Sequence, residues 1–475
     1  MSEEAGDGVG TSRRKLRLGE VAAISLGFMG PVMAMSLNGI GVAGLVGKAV
    51  PLTFLVAFAG TLLVAYAFIR LTRFITHAGS VYALAGATIG PRAGFFGGFA
   101  LLGTYMFFAA CITGACAVFF EAMLAELGIV PPERSWLLVV LAAGALALLF
   151  DLRESVVMAR TLLGIGLFGV LAMLVLAAVI VVRVAAGDAP VSTGVDLSTL
   201  LPSGASATAI ATASVFGFLS WAGFESGASL GEETRDPKRT VPLALLLAVA
   251  AAGVIYVLVM FAQTIGFGTD EAGVAAFAGA SSTLTTLSSV YIAPWYAVAI
   301  SIIAFLVAFA SLLSSTTAAA RLLFALARDG FGPAALGRSD PRTGVPVRAT
   351  VTVVALALVL AGGLGLFGAA AVDVYYWYAT IATLCMVVAY AMASAGVVRY
   401  IFSPDSGIPR SEAALPVLGI AYLALVLLIQ IAGQKPPYTL FPWIAGAWCL
   451  AGLLVVLLRP RLAERIGERL SAERC

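Results

Sequence analysis

The chain has 475 residues, 61% hydrophobic and only 11% charged, with mean hydropathy +1.03 and formal net charge +3. Soluble proteins carry about 25% charged residues, and apolar runs of about 20 residues recur here from end to end, so a water-soluble enzyme or nucleic-acid-binding protein is excluded. The ten-residue alternation of a membrane β-barrel is absent, which leaves an all-α integral membrane protein.

In chain order, residues 1–19 are a polar arm ending in a basic cluster, with no cleavable signal pattern. Apolar spans follow at 20–45, 51–70, 94–125, 135–150, 156–183, 207–231, 241–267, 291–322, 348–367, 372–398, 414–433 and 439–458. Residues 74–91 are semi-polar and fit a surface helix; 188–206 and 270–289 read as polar loops, and 328–345 as a Gly/Pro-rich loop. The tail, 459–475, reads as an amphipathic helix at the inner membrane surface, with Leu462, Ile466 and Leu470 on one stripe.

With the N-terminus inside, lysines and arginines divide 24 to 4 between the cytoplasmic and outer segments. That asymmetry places both termini in the cytoplasm and supports about twelve spans. Spans 1–5 start inside and spans 6–10 start outside, an inverted five-plus-five repeat with two spans appended. The expected divisions are a transport core, 20–402, with repeats near 20–186 and 206–402, then 403–458 for spans 11 and 12.

The first and sixth spans are interrupted at mid-depth. Non-helical backbone there is tolerated only where protein buries it or where it lines a cavity. Paired breaks in two halves point to a transporter's binding site. In span 1, Gly30-Pro31 predicts a helix that stops near Phe28 and restarts near Ala34, because Pro31 lacks an N–H and its ring opposes the Gly27 carbonyl. The restarted half opens with free N–H groups that suit a carboxylate. A plain proline kink is the other reading.

In span 6, Ser220, Gly223, Ser226 and Gly227 loosen the helix beside Glu225, the one acidic residue deep in a span. An ionisable group at that depth costs several kcal/mol, about 3 on insertion scales, and marks a functional site by default. The other reading is a protonated glutamate bonded to a neighbouring helix. Unwound carbonyls beside it suit an ammonium group. Together the two breaks suggest a zwitterionic α-amino acid.

Other patterns carry less. Gly39, Gly41 and Gly44 match a dinucleotide fingerprint, and Gly227, Ser229 and Gly231 match a nucleophile elbow, but both motifs need strands that this sequence lacks. His77 is the single histidine, and Cys111, Cys116, Cys385, Cys449 and Cys475 have no ligand spacing, so no metal, cofactor or disulfide is expected. Tyr105, Tyr375, Trp377 and Tyr378 are polar-tipped aromatics that fit either a pathway or the interface belt.

The stretch Phe216-Gly217-Phe218-Leu219-Ser220-Trp221-Ala222-Gly223-Phe224-Glu225, followed by 232–242, resembles the sixth span and next loop of the amino acid–polyamine–organocation (APC) permeases. Ala78-Gly79-Ser80-Val81-Tyr82 resembles that family's loop after span 2, and 321–330 the end of its span 8. The resemblance implies a leucine-transporter-like fold and amino acid transport by alternating access. It also implies a substrate carboxylate at Gly30, Pro31, Val32, Met33 and Ala34, and an amine against Phe218, Trp221, Ala222 and Gly223. Many members carry Gly-Ser-Gly in span 1; Gly30-Pro31-Val32 here lacks one backbone donor.

Sodium-coupled relatives of the fold use paired hydroxyls in span 8, where alignment puts Leu313 and Ser314; some proton-coupled members use a lysine in span 5, where Gly166 falls. Coupling is therefore assigned to Glu225 and Ser314, with a proton favoured over sodium. No lysine, arginine or aspartate lies deep in a span, which favours a neutral substrate moved across the plasma membrane. A polyamine or organic-cation carrier with Glu225 as counter-ion is the alternative. A sensor lacks a soluble output domain here, and a channel lacks a pore motif.

Overall fold

Prolines and glycines decide where the helices of this chain begin and end. The computed structural model describes residues 15–75, 81–153, 156–192, 194–231, 234–341, 343–404, 406–432 and 434–472, with backbone alone at 156–160, 229 and 470–472. His77, Ala78, Gly79, Ser80, Glu154, Ser155, Glu232, Glu233 and Cys475 lie outside the described residues.

Helix α1 (Leu18–Phe28) opens with the Arg17 N–H donating to Glu20 Oε2 at 2.7 Å. Helix α2 (Pro31–Val46) starts at Pro31 itself, and α3 (Val50–Leu71) follows a turn at Gly47. Next come α4 (Val81–Thr88), α5 (Pro91–Glu126), α6 (Trp136–Asp151), α7 (Val156–Ala185) and α8 (Ala207–Leu219). A 3-10 turn, Phe224–Leu230, precedes α9 (Pro237–Phe267), α10 (Glu271–Gly279), α11 (Thr283–Tyr291) and α12 (Pro294–Arg328). The chain ends with α13 (Val347–Leu366), α14 (Ala371–Ile401), α15 (Ala414–Ile431), α16 (Phe441–Leu458) and α17 (Pro460–Ala472). Proline occupies the first position of α2, α5, α9, α12 and α17, where its fixed φ suits a helix start and its missing N–H goes unused.

Among the described residues nine stretches are long and apolar enough to cross a membrane, and Trp136–Asp151 and Ala207–Leu219 are shorter apolar helices. The first stretch, Leu18–Leu71, would run about 80 Å at 1.5 Å per residue, so it holds two crossings of a roughly 30 Å hydrocarbon layer. Twelve crossings result, as the sequence predicts. They pair in an inverted sense: α1 packs on the Phe224–Leu230 turn while α2 packs on α8. The first half of span 1 thus meets the second half of span 6, so the two broken spans run antiparallel.

Helix α5 packs most extensively on α14 and α12 and lies deep in the bundle. Helices α15 and α16 expose Leu418, Leu428, Trp443, Leu457 and Leu458, which suits a lipid-facing flank. Residues 270–289, expected as a polar loop, instead form α10 and α11. The Asp270 carboxylate caps α10 by accepting from the Gly273 N–H at 2.9 Å, and Phe277, Leu284 and Leu287 are buried beneath the polar residues. On the side where α1 begins, the Arg235 N–H donates to the Leu16 carbonyl at 3.0 Å, tying the entering chain to the segment after span 6.

The tail forms α17, but its apolar stripe packs on α5 and α4, burying Ala463 and Ile466. Arg469 Nη1 lies 2.7 Å from Asp329 Oδ1, and Arg465 Nη2 donates to the Asp329 carbonyl at 2.9 Å. A Cβ on Gly467 would lie 1.7 Å from the Pro91 carbonyl oxygen, so only glycine permits that approach. At the opposite end of the molecule, Lys48 Nζ meets Asp196 Oδ2 at 2.9 Å. Hydrogen bonds from Ser198 first, then Lys48, hold the Asp196 carboxyl below its ordinary range.

Candidate functional site

The break in span 1 is made by Gly30, whose φ of +58° and ψ of +59° are left-handed. Helix α1 stops at Phe28 as the sequence predicts, but the restart comes three residues before the expected Ala34. The reason is local: Pro31 is preorganised as a first helical residue, so it begins α2 rather than holding the gap open. The Ala34 N–H donates to the Gly30 carbonyl at 2.9 Å. The N–H groups of Val32 and Met33 therefore remain without an intrahelical acceptor, and Pro31 has none to offer.

The break in span 6 runs from Ser220 to Gly223, where φ reaches +91°. The Ser220, Trp221 and Ala222 N–H groups donate to the carbonyls of Gly217, Phe218 and Leu219 at 2.9, 3.1 and 3.0 Å. These short-range bonds occupy the last carbonyls of α8, each of which keeps a second lone pair. A Cβ on Gly223 would fall 2.0 Å from Phe28 Cδ1, so the two breaks touch.

A small cavity opens between them. Met33, Ala34, Ala222, Gly223 and Glu225 of the predicted site line it, together with Phe28, Asn38, Thr104, Ser311, Ser315 and Met386. Tyr105 and Tyr375 also line it. Trp377 instead packs near Phe441, and the Tyr378 hydroxyl donates to the Leu360 carbonyl at 2.8 Å.

Gly30, Pro31 and Val32 lie behind this surface; the Val32 side chain reaches to α7, where a Cβ on Gly169 would touch it at 3.0 Å. Phe218 and Trp221 turn away from the cavity. Phe218 packs edge-on to Tyr422, while Trp221 stacks on Phe58 at 6.0 Å and donates its indole N–H to the Val249 carbonyl at 3.4 Å. Ser314 also misses the cavity, its hydroxyl donating to the Ala310 carbonyl of its own helix at 3.0 Å.

Glu225 is 2% exposed. The Tyr390 hydroxyl donates to its Oε2, and the Tyr105 hydroxyl lies 3.5 Å from its Oε1. The carboxyl group thus joins the break of span 6 to α5 and α14. Across the cavity, Asn38 ties three elements: its amide donates to Ser220 Oγ at 2.8 Å, and its carbonyl accepts from the Tyr375 hydroxyl at 2.8 Å. Asn38, Ser311, Ser315 and Tyr390 were not singled out in the sequence. Asn38 carried a signal, an amide two turns past Pro31 in an apolar run. Among the described residues no lysine, arginine or histidine lines the cavity, so a bound anion would depend on N–H and O–H donors.

Residues 18–457 match the family model for amino acid permeases. The chain is 26% identical over 347 residues to the low-affinity putrescine importer PlaP of Escherichia coli, covering 73% of this chain and 74% of that protein. It is also 26% identical over 347 residues to the branched-chain amino acid permease BcaP of Bacillus subtilis, covering 71% and 72% respectively. A shorter match, 31% over 149 residues, links it to the vacuolar cationic amino acid transporter 4 of Arabidopsis thaliana, covering 30% of this chain and 23% of that protein. With a broken-helix cavity inside a twelve-span bundle and a family match over nearly its whole length, this chain belongs to the amino acid permease family of membrane transporters and is not an enzyme.

Proposed function

We propose that the protein is a secondary active permease for a neutral α-amino acid, working by alternating access in the plasma membrane with both termini in the cytoplasm. The observation that carries this reading is the helix end at Gly30. The N–H groups of Val32 and Met33 have no intrahelical acceptor, Met33 lines the cavity, and no basic side chain among the described residues does, an arrangement suited to a carboxylate. The relation to a branched-chain amino acid permease supports an apolar substrate. The 24-to-4 division of basic residues supports the orientation. The inverted repeats, 20–186 and 206–402, form the moving core, with 403–458 appended and 1–19 and 459–475 on the cytoplasmic side. Glu225 carries the coupling proton. Ser314, bonded to its own helix, gives sodium coupling less support.

A second reading, polyamine transport, is favoured by the same Glu225, the one charged group on the cavity among the described residues, and by the putrescine importer among the relatives. Uptake into proteoliposomes separates the two. Labelled neutral amino acids should accumulate, with unlabelled leucine and alanine competing and putrescine inert. Competition by putrescine alone would replace the amino acid reading with the polyamine one.

A further inference from the structure

A helix end normally presents N–H groups at its first three positions, and an N-cap side chain often occupies the space before them. At α2 both features are altered. Pro31 removes one donor, and Gly30 has no side chain. The space a Gly30 Cβ would face is filled from α12 instead, because that Cβ would lie 3.0 Å from Ser311 Oγ. Ser311 is 2% exposed and lines the cavity, and its hydroxyl has no hydrogen-bond partner among the described residues.

Three other hydroxyls of α12 are satisfied within the helix. The hydroxyls of Ser301, Ser314 and Thr316 donate to the carbonyls of Ala297, Ala310 and Leu312 four residues back, at 2.9, 3.0 and 2.9 Å. Ser311 alone of these four leaves its hydroxyl unused. A buried hydroxyl without a partner is destabilising unless a ligand completes it. Here it stands beside a helix end that is one donor short and whose third residue, Met33, lines the same cavity.

We propose that Ser311 binds the substrate's carboxylate, its O–H supplying the donor that Pro31 cannot. Three donors then converge on the anion: the Val32 and Met33 N–H groups from span 1 and the Ser311 hydroxyl from span 8. The inference rests on the amino acid reading above and deepens it. Ser311 becomes a specificity-determining residue, separating α-amino acids from the amines that lack a carboxylate.

The test uses purified full-length protein, wild type and Ser311→Ala. Alanine is the strongest helix former and adds no bulk, and matched melting temperatures confirm that the variant is folded. Affinities are measured for L-leucine, for its decarboxylated counterpart 3-methylbutylamine, and for putrescine. Ser311→Ala should weaken leucine about tenfold, as expected for a hydrogen bond to a charged group, and leave 3-methylbutylamine within about twofold. If wild type binds leucine and the variant binds it equally well, or loses both ligands together, the Ser311 assignment is overturned while the amino acid reading stands. If wild type binds putrescine and not leucine, the amino acid reading fails first and the Ser311 assignment goes with it.

Discussion

At Gly223 the space for a side chain is already occupied. A Cβ there would sit 2.0 Å from Phe28 Cδ1, and a φ of +91° is one that side chains rarely adopt. Left-handed strain alone costs about 1 kcal/mol or more, and the clash adds to it. Phe28 is the last residue of α1, so a Gly223→Ala change pushes the two breaks apart at their point of contact. Uptake by Gly223→Ala, normalised to reconstituted protein, should fall at least about tenfold. Adding Phe28→Ala should recover part of it by removing the clash but not the strain. Uptake within twofold of wild type in the single variant would show that the contact between the breaks is dispensable.

At the scale of the helix, the conformation of Gly30 and the start at Pro31 divide the work differently from the sequence expectation. Gly30 makes the left-handed turn, and Pro31 merely begins α2. Gly30→Ala should therefore impair uptake more than Pro31→Ala, since the former forces a Cβ into αL and against Ser311 Oγ at 3.0 Å and Met33 Cε at 3.1 Å. Pro31→Ala leaves the break in place and adds a donor. The reverse ranking in side-by-side transport assays would return the gap to the proline. The breaks and Glu225 were legible because irregular backbone and a carboxyl group at mid-depth are costly enough to stand out. Ser311, Asn38 and Tyr390 were not, because a span that is apolar all round shows no moment to say which face points inward. Motif alignment put Ser314 at a coupling-ion hydroxyl position; in the structure Ser311 and Ser315 of the same helix line the cavity. In α11, buried Thr283 donates to the Met35 carbonyl at 3.1 Å, and such internally satisfied hydroxyls made a packed helix read as a loop.

Across the whole molecule, pH separates structural from transport charges. Because the Asp196 carboxyl is held low in the folded state, its stabilising effect is fully present above the unfolded value of about 3.9 and is lost only as pH falls through the lower folded value. The Lys48–Asp196 tie is therefore constant between pH 5 and 8. We expect the pH dependence of net uptake in that window to come from Glu225: Glu225→Gln should abolish it while leaving substrate binding measurable, whereas Asp151→Asn, at the end of α6 beside Thr316 and Thr317, should leave it in place. His77→Ala serves as the control for the one group whose ordinary value, about 6.5, falls in the same range. A pH profile of Glu225→Gln that matches wild type would remove Glu225 from coupling. The placement of α17 has a consequence for how the molecule is made. It is synthesised after every element it covers, so the Pro91 end of α5 and the Asp329 carboxylate wait exposed until the ribosome has finished the last span. Their closure then belongs to a late, post-insertion step of maturation. A bulky fusion placed against Arg469 would compete with that step rather than with transport.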